Sequence, residues 1–147
     1  MTSRPHSSSP GALPTRSLGT LRVAREATTL ARVVYALSAR LPAMERATLG
    51  DQLRRAAVSV YANIAEGHGR ATRRDALRFY AIAAASLQEL DAHLGFCTEA
   101  RLAPPPLLTD ARRRVVWVRK LLEGLRRATT QAPPTPAPAR KPPSNRS

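Results

Sequence analysis

Two short stretches carry the side chains of this chain that are suited to chemistry. In "SVYANIAEGHGR", residues 59–70, Ser59, Asn63 and Glu66 follow at steps of four and three, so they fall on nearly one side of a helix that then meets two glycines around His68. Farther on, Glu89, His93 and Cys97 recur at four-residue intervals, line up along a helix and offer a carboxylate, an imidazole and a thiol, all zinc-ligand types. A zinc site usually needs a fourth group, and only the solitary His68 is at hand. Ser59 and Ser86 have no histidine at a local spacing that suggests a base, and no G-x-S-x-G elbow occurs. The glycines of "EGHGR" follow a helix rather than a strand, which removes the Walker and dinucleotide phosphate loops. The one carboxylate pair open to acid–base work, Glu66 with Glu89, sits on two different helices. The expectation is a protein without metal, cofactor or catalytic residues.

What must position these side chains is helical. Four periodic apolar patterns separated by short breakers, with no alternating strand, predict an all-α chain. Short connections make it an up-down-up-down antiparallel four-helix bundle. The first helix is predicted from Leu21 to Arg40, with Leu30, Val33, Val34 and Leu37 on one side and Arg22, Arg25 and Arg32 elsewhere; Pro42 breaks it. The second is predicted as one helix from Ala43 to Glu66, its seam Leu49, Leu53, Ala56, Val60 and Asn63 spaced 4, 3, 4 and 3. Gly67 and Gly69 are expected to end it in the left-handed conformation. Thr72 with Asp75 caps a third helix, Arg73 to Arg101, whose inner face is Leu77, Tyr80, Ala83, Ala84, Leu87, Leu90 and Leu94. "APPP" at 103–106 turns the chain into a fourth helix, Leu107 to Ala128, striped by Leu108, Ala111, Val115, Val118, Leu122 and Leu125. Trp117 lies off that stripe, where a partner subunit can meet it.

On this frame Gln52, Arg55, Ser59, Asn63 and Glu66 form one polar flank of the second helix, and Ser86 with Glu89 a patch on the third. Half-buried polar groups must be paired. The economical pairing is across the bundle or between subunits, where polar seam residues fix register. A polar network at a helix end is therefore preferred to an active site.

Composition limits the rest. Residues 1–19, rich in Ser, Pro and Gly, and the Pro-rich 129–147 have little apolar surface to bury and read as disordered tails, leaving one domain at 20–128. The chain's net charge is +14, and the core without its tails keeps 19 basic against 10 acidic residues, or +9. Such an excess favours polyanionic partners, and arginine, nearly all of the basic complement, forms bidentate contacts with phosphate. The alternative reading, that the bias of Arg over Lys reflects genome composition, leaves the sign of the charge unexplained. The nucleic-acid-binding candidates are Arg54, Arg55, Arg70, Arg73 and Arg74, together with Arg112, Arg113, Arg114, Arg119, Lys120, Arg126 and Arg127 of the fourth helix. Six aromatic residues are too few for a base-stacking platform, so sequence specificity is not expected. A lone cysteine, the lack of a signal-like apolar run and the lack of a stretch near the roughly 18 apolar residues of a membrane span suit a cytoplasmic location with no membrane contact.

The run from Leu41 to Leu102 resembles the four-helix-bundle family named after proteins encoded in intervening sequences of bacterial 23S ribosomal RNA genes. "QLRRAAVSVYANIAEG" and "RFYAIAAASLQEL" carry the resemblance, in order and spacing, over about sixty residues. "LPAMERATLGDQL" also looks like the segment before helix two in the accessory variability determinant proteins of diversity-generating retroelements, which share the fold family. The resemblance implies a homopentameric barrel and, in the retroelement branch, a basic surface for nucleic acid and a reverse transcriptase. Arg54, Arg55, Ser59, Asn63, Glu66, Gly67, Gly69, Arg70, Ser86 and Glu89 fall on the family's motif positions, none of them catalytic by that resemblance. The function expected is a non-enzymatic, oligomeric nucleic-acid binder. The alternative is a scaffold for an acidic protein partner.

Overall fold

The computed structural model describes residues 15–133, with side chains from residue 19 onward. Among the described residues there are four long helices and one short one: α1 (Thr15–Ser38), α2 (Ala43–Arg46), α3 (Leu49–His68), α4 (Arg73–Glu99) and α5 (Pro105–Gln131). Among the described residues there is no strand, and no helix is long and apolar enough to cross a membrane. Each long helix packs on its neighbours in sequence and α5 returns to α1, so α1 and α4 lie on one diagonal and α3 and α5 on the other. This is the expected antiparallel four-helix bundle.

The packing follows from heptad spacing. Val23, Ala27, Leu30, Val34, Leu37 and Leu41 alternate steps of four and three along α1 and beyond its end, and all are buried. Ala76, Tyr80, Ala83, Leu87, Leu90, Leu94 and Cys97 do the same on α4, as Leu108, Ala111, Val115, Val118, Leu122 and Leu125 do on α5. A repeat averaging 3.5 residues keeps one seam turned to the partner over the whole helix length. Leu77 and Ala84, expected inside, are only half-buried, and Ala76 and Cys97 take the inner positions. Thr72 caps α4 as predicted: its hydroxyl accepts the Asp75 N–H at 3.1 Å and donates to the Asp75 carboxylate at 2.8 Å.

Three boundaries differ from the reading of the letters. Residues 15–19 and 129–131, assigned to tails, are helical, because Thr20 and Thr129 continue the inner stripes of α1 and α5 and are 1% and 0% exposed. Threonine presents enough apolar surface to extend the core by a turn at this end. The remainder of both tails, 1–14 and 134–147, lies outside the described residues. The second predicted helix is two, α2 and α3, separated at Thr48, whose φ of −107° and ψ of −85° are not helical. Arg54 fills the corner this break creates, donating to Ser38 Oγ at 3.3 Å and to the Arg46 carbonyl at 3.4 Å.

The glycines act differently from the prediction. No described glycine has a positive φ, and Gly69 closes α3 at φ −77°. Gly67 lies inside the last turn of α3, where a Cβ would stand 2.5 Å from Cε1 of Tyr80. It is there so that the Tyr80 ring can lie against the α3 backbone. The left-handed position belongs to Arg101, at φ 52° after α4. There the Leu102 N–H returns to the Cys97 carbonyl at 3.0 Å and the Arg101 N–H to Thr98 at 3.2 Å, the paired bonds of a Schellman ending in which glycine normally holds the turn.

Candidate nucleic-acid interface

α5 carries seven basic residues against Asp110 and Glu123. With its apolar stripe turned inward, six of the seven fall into two rows at seven-residue steps, Arg112–Arg119–Arg126 and Arg113–Lys120–Arg127, with Arg114 outside both. At 1.5 Å rise per residue, members of a row stand about 10 Å apart. The first row borders α4, where Asp91 receives Arg112 at 3.4 Å and Arg119 at 3.6 Å. The second faces outward, and the Arg113 side chain is 76% exposed. Arg113 and Arg114 both donate to Asp110, at 2.7 and 3.0 Å. Those two hydrogen bonds hold the Asp110 carboxyl below the ordinary carboxylate range.

Each of these aspartates is shared by two guanidinium groups, so each cluster remains cationic. Exposed ion pairs are worth about 0–1 kcal/mol, little enough for an arriving phosphate to replace the carboxylate. Lys120, Arg126 and Arg127 have no ion-pair partner among the described residues. Trp117 is 42% exposed, and the Arg22 guanidinium of α1 lies 5.5 Å from its ring centroid, so it joins α5 to α1 within one chain.

The structure separates the remaining candidates. Arg73 donates to the Thr130 carbonyl at 2.9 Å, which ties the start of α4 to the last turn of α5 and brings Arg73 to the end of the cationic face; Arg74, next in the chain, is exposed. Arg70 is ion-paired with Glu66 and lies 4.6 Å over the Phe79 ring at the same end of the bundle. Arg54 and Arg55 are not brought to this face. They lie on α3, diagonal to α5, where Arg54 clamps the α2 corner and Arg55 pairs with Asp51 at 2.8 Å. Arg101 stands off both rows, and its left-handed turn went unforeseen in a helix ending, "TEARLAPPP", that lacks the usual glycine.

The motif residues form a smaller cluster than predicted. Asn63 Nδ2 donates to the Ser59 carbonyl at 2.8 Å and to Ser59 Oγ at 3.1 Å. Ser59 Oγ and Ser86 Oγ are 2.8 Å apart, and Ser86 donates to the Ile82 carbonyl at 3.0 Å. With the Ser86 proton committed to Ile82, the Ser59 hydroxyl is the donor between them, giving a one-way chain from α3 into α4. Both hydroxyl protons are spent on structure. Glu66 and Glu89 stand outside this cluster, pairing with Arg70 and His93 respectively.

Glu89, His93 and Cys97 do not converge. A four-residue step overshoots the 3.6-residue turn by about 40°, so over two steps Cys97 swings into the core while Glu89 stays in solvent. Burial, and then the charge of Glu45, push the Cys97 thiol pKa up. Among the described residues no three His, Cys, Asp or Glu side chains are grouped to hold a metal ion.

Comparison with known proteins agrees with the motifs. A protein of unknown function from the S23 ribosomal protein family of Bacteroides thetaiotaomicron has a similar structure, with a TM-score of 0.68 at 18% identity, covering 74% of this chain and 98% of that one. At that identity the likeness speaks to the fold. No curated protein matches the chain. The model of the 23S rRNA-intervening sequence protein family matches residues 19–124, a span that holds α3, α4, the Ser59–Asn63–Ser86 chain, Gly67 under Tyr80 and the first two members of each cationic row; the chain belongs to that family.

Proposed function

We propose that this protein is a non-enzymatic nucleic-acid-binding bundle that holds an RNA or DNA backbone along the outer face of α5. The observation that supports this reading is the pair of basic rows, six of the seven cations that α5 sets against two acids over 27 residues, whose few carboxylate partners are shared and only half-buried. Guanidinium rows at regular spacing suit a repeating phosphate backbone, and nothing in them reads base edges, so binding is expected to be insensitive to sequence. Retention of RNA and DNA on the immobilised protein is the test. Binding at roughly 50 mM salt that falls steeply by roughly 200 mM supports it, because each phosphate contact releases counterions. No retention at low salt overturns it and leaves an acidic protein as the partner that the charge serves.

The protein acts as a homo-oligomer in this reading. Ile82 and Phe96 are 39% and 56% exposed on the outer side of α4, which gives a second copy an apolar surface away from α5. Light scattering at micromolar concentration reports the mass, and a monomer contradicts this part.

A further inference from the structure

Beside the α5 rows, at the corner between α4 and α5, is an open cavity of about 790 Å³. Its floor is apolar, made by the buried Ala103 and Leu108, with Val116, 46% exposed, beside them, and the guanidinium-bearing residues Arg101, Arg112 and Arg113 also line it. Arg112 is partnered by Asp91, which also lines the cavity, and Arg113 by Asp110. Arg101 has no ion-pair partner among the described residues and sits at φ 52°, where glycine is favoured. A local rule broken at a cavity mouth points to a use for the side chain.

The occupant must use both halves of the cavity. A bare phosphate leaves the apolar floor wet, and a purely apolar molecule leaves the cations idle. A nucleotide satisfies both: its base presents flat apolar faces to aliphatic side chains and guanidinium planes, and its phosphate takes a bidentate arginine. Arg112 and Arg113 belong both to this lining and to the two rows of α5, so a strand lying on the rows reaches the cavity without a gap in charge.

We propose that this cavity receives one unpaired nucleotide of the strand held on α5, its base against Ala103, Leu108 and Val116 and its phosphate on Arg101. The proposal rests on the nucleic-acid reading of α5 and adds a preference for single-stranded extensions over blunt duplex. Fluorescence anisotropy with a blunt RNA duplex, and with the same duplex carrying a short single-stranded extension, tests it. The wild-type protein is expected to bind the extended form about tenfold more tightly, the scale of one added base contact. Arg101→Gly removes the guanidinium while relieving the backbone, so its effect does not come from unfolding; Thr109→Trp fills the mouth from an exposed position. Both variants are expected to lose the preference and keep the affinity for blunt duplex. A wild type without preference, or variants that retain it, overturns the proposal.

Absence of all RNA binding at low salt defeats the reading of α5, and the cavity is then read separately. Adenosine monophosphate is titrated into wild type and Arg101→Gly, followed by amide NMR shifts of Thr98 and Thr109. Shifts in wild type that vanish in the variant support the cavity as a nucleotide site, and no shifts in wild type overturn it.

Discussion

Arg101 occupies a backbone conformation that costs an L-residue roughly 1–2 kcal/mol and costs glycine almost nothing. Arg101→Gly is accordingly expected to raise stability by about 1 kcal/mol in urea denaturation, part of the gain being lost to the greater freedom of glycine in the unfolded chain. An unchanged midpoint would show that the side chain makes up the difference through contacts of its own. Gly67 gives the opposite result. Alanine there gains about 1 kcal/mol of helix propensity but drives a methyl to 2.5 Å from the Tyr80 ring, and overpacking of this kind costs about 1–3 kcal/mol. Gly67→Ala is expected to lower stability by about 1 kcal/mol, and Gly69→Ala, with 3.7 Å to its nearest neighbour, to be close to neutral. Both glycines were visible in the letters, but their roles were not, because the letters do not say that Tyr80 lies against one of them.

At the scale of the elements, α3 and α4 are joined through Ser59, Ser86 and Asn63, and the joint behaves as a unit. Ser86→Ala leaves the Ser59 proton without an acceptor and Ser59→Ala leaves Asn63 without one of its two, each at a cost of about 1 kcal/mol. Residues in one network do not add. The double variant is therefore expected to lose less than the sum of the singles by at least about 0.5 kcal/mol, measured as a thermodynamic cycle. Strict additivity would remove the network. Near the start of α5, Asp110 has its pKa lowered in the fold from 3.8 by hydrogen bonds from Arg113 and Arg114. A depressed carboxylate stabilises the fold above its unfolded value and loses that contribution as pH falls through 3.8 and below. Asp110→Asn is expected to be less stable at neutral pH and to show a shallower acid loss than wild type, followed by helical circular dichroism against pH. Helix order and the inner stripes were legible because a 3.5-residue repeat is local. The break between α2 and α3 was not, because the corner is held by Arg54 reaching back to Ser38, sixteen positions away.

At the scale of the whole molecule, the excess of positive charge is concentrated by the fold. Arg112, Arg119 and the outward row of α5 stand on one face, with Arg73 brought to its end by the Thr130 carbonyl. Replacing Lys120, Arg126 and Arg127 together with Gln is expected to weaken nucleic-acid binding for every sequence alike and to lower the slope of log affinity against log salt by about 2–3, with an unchanged helical spectrum. Arg54→Gln acts otherwise. It loosens the α2 corner and lowers stability without changing that slope, since α3 lies across the bundle from α5.

The sequence by itself determined the all-α class, the four long helices, the cap at Thr72 and the cationic letters of α5, since each depends on residues within a few positions of one another. Only the tertiary structure decided which arginines are spent and which are open, which glycine is crowded, and where a cavity lies among charges. Asp91 meets Arg112, Ser59 meets Ser86, Gly67 meets Tyr80 and Arg73 meets Thr130 only after the helices have packed. Those distances are set by seams that bring together residues far apart in the chain, and no periodicity along one helix records them.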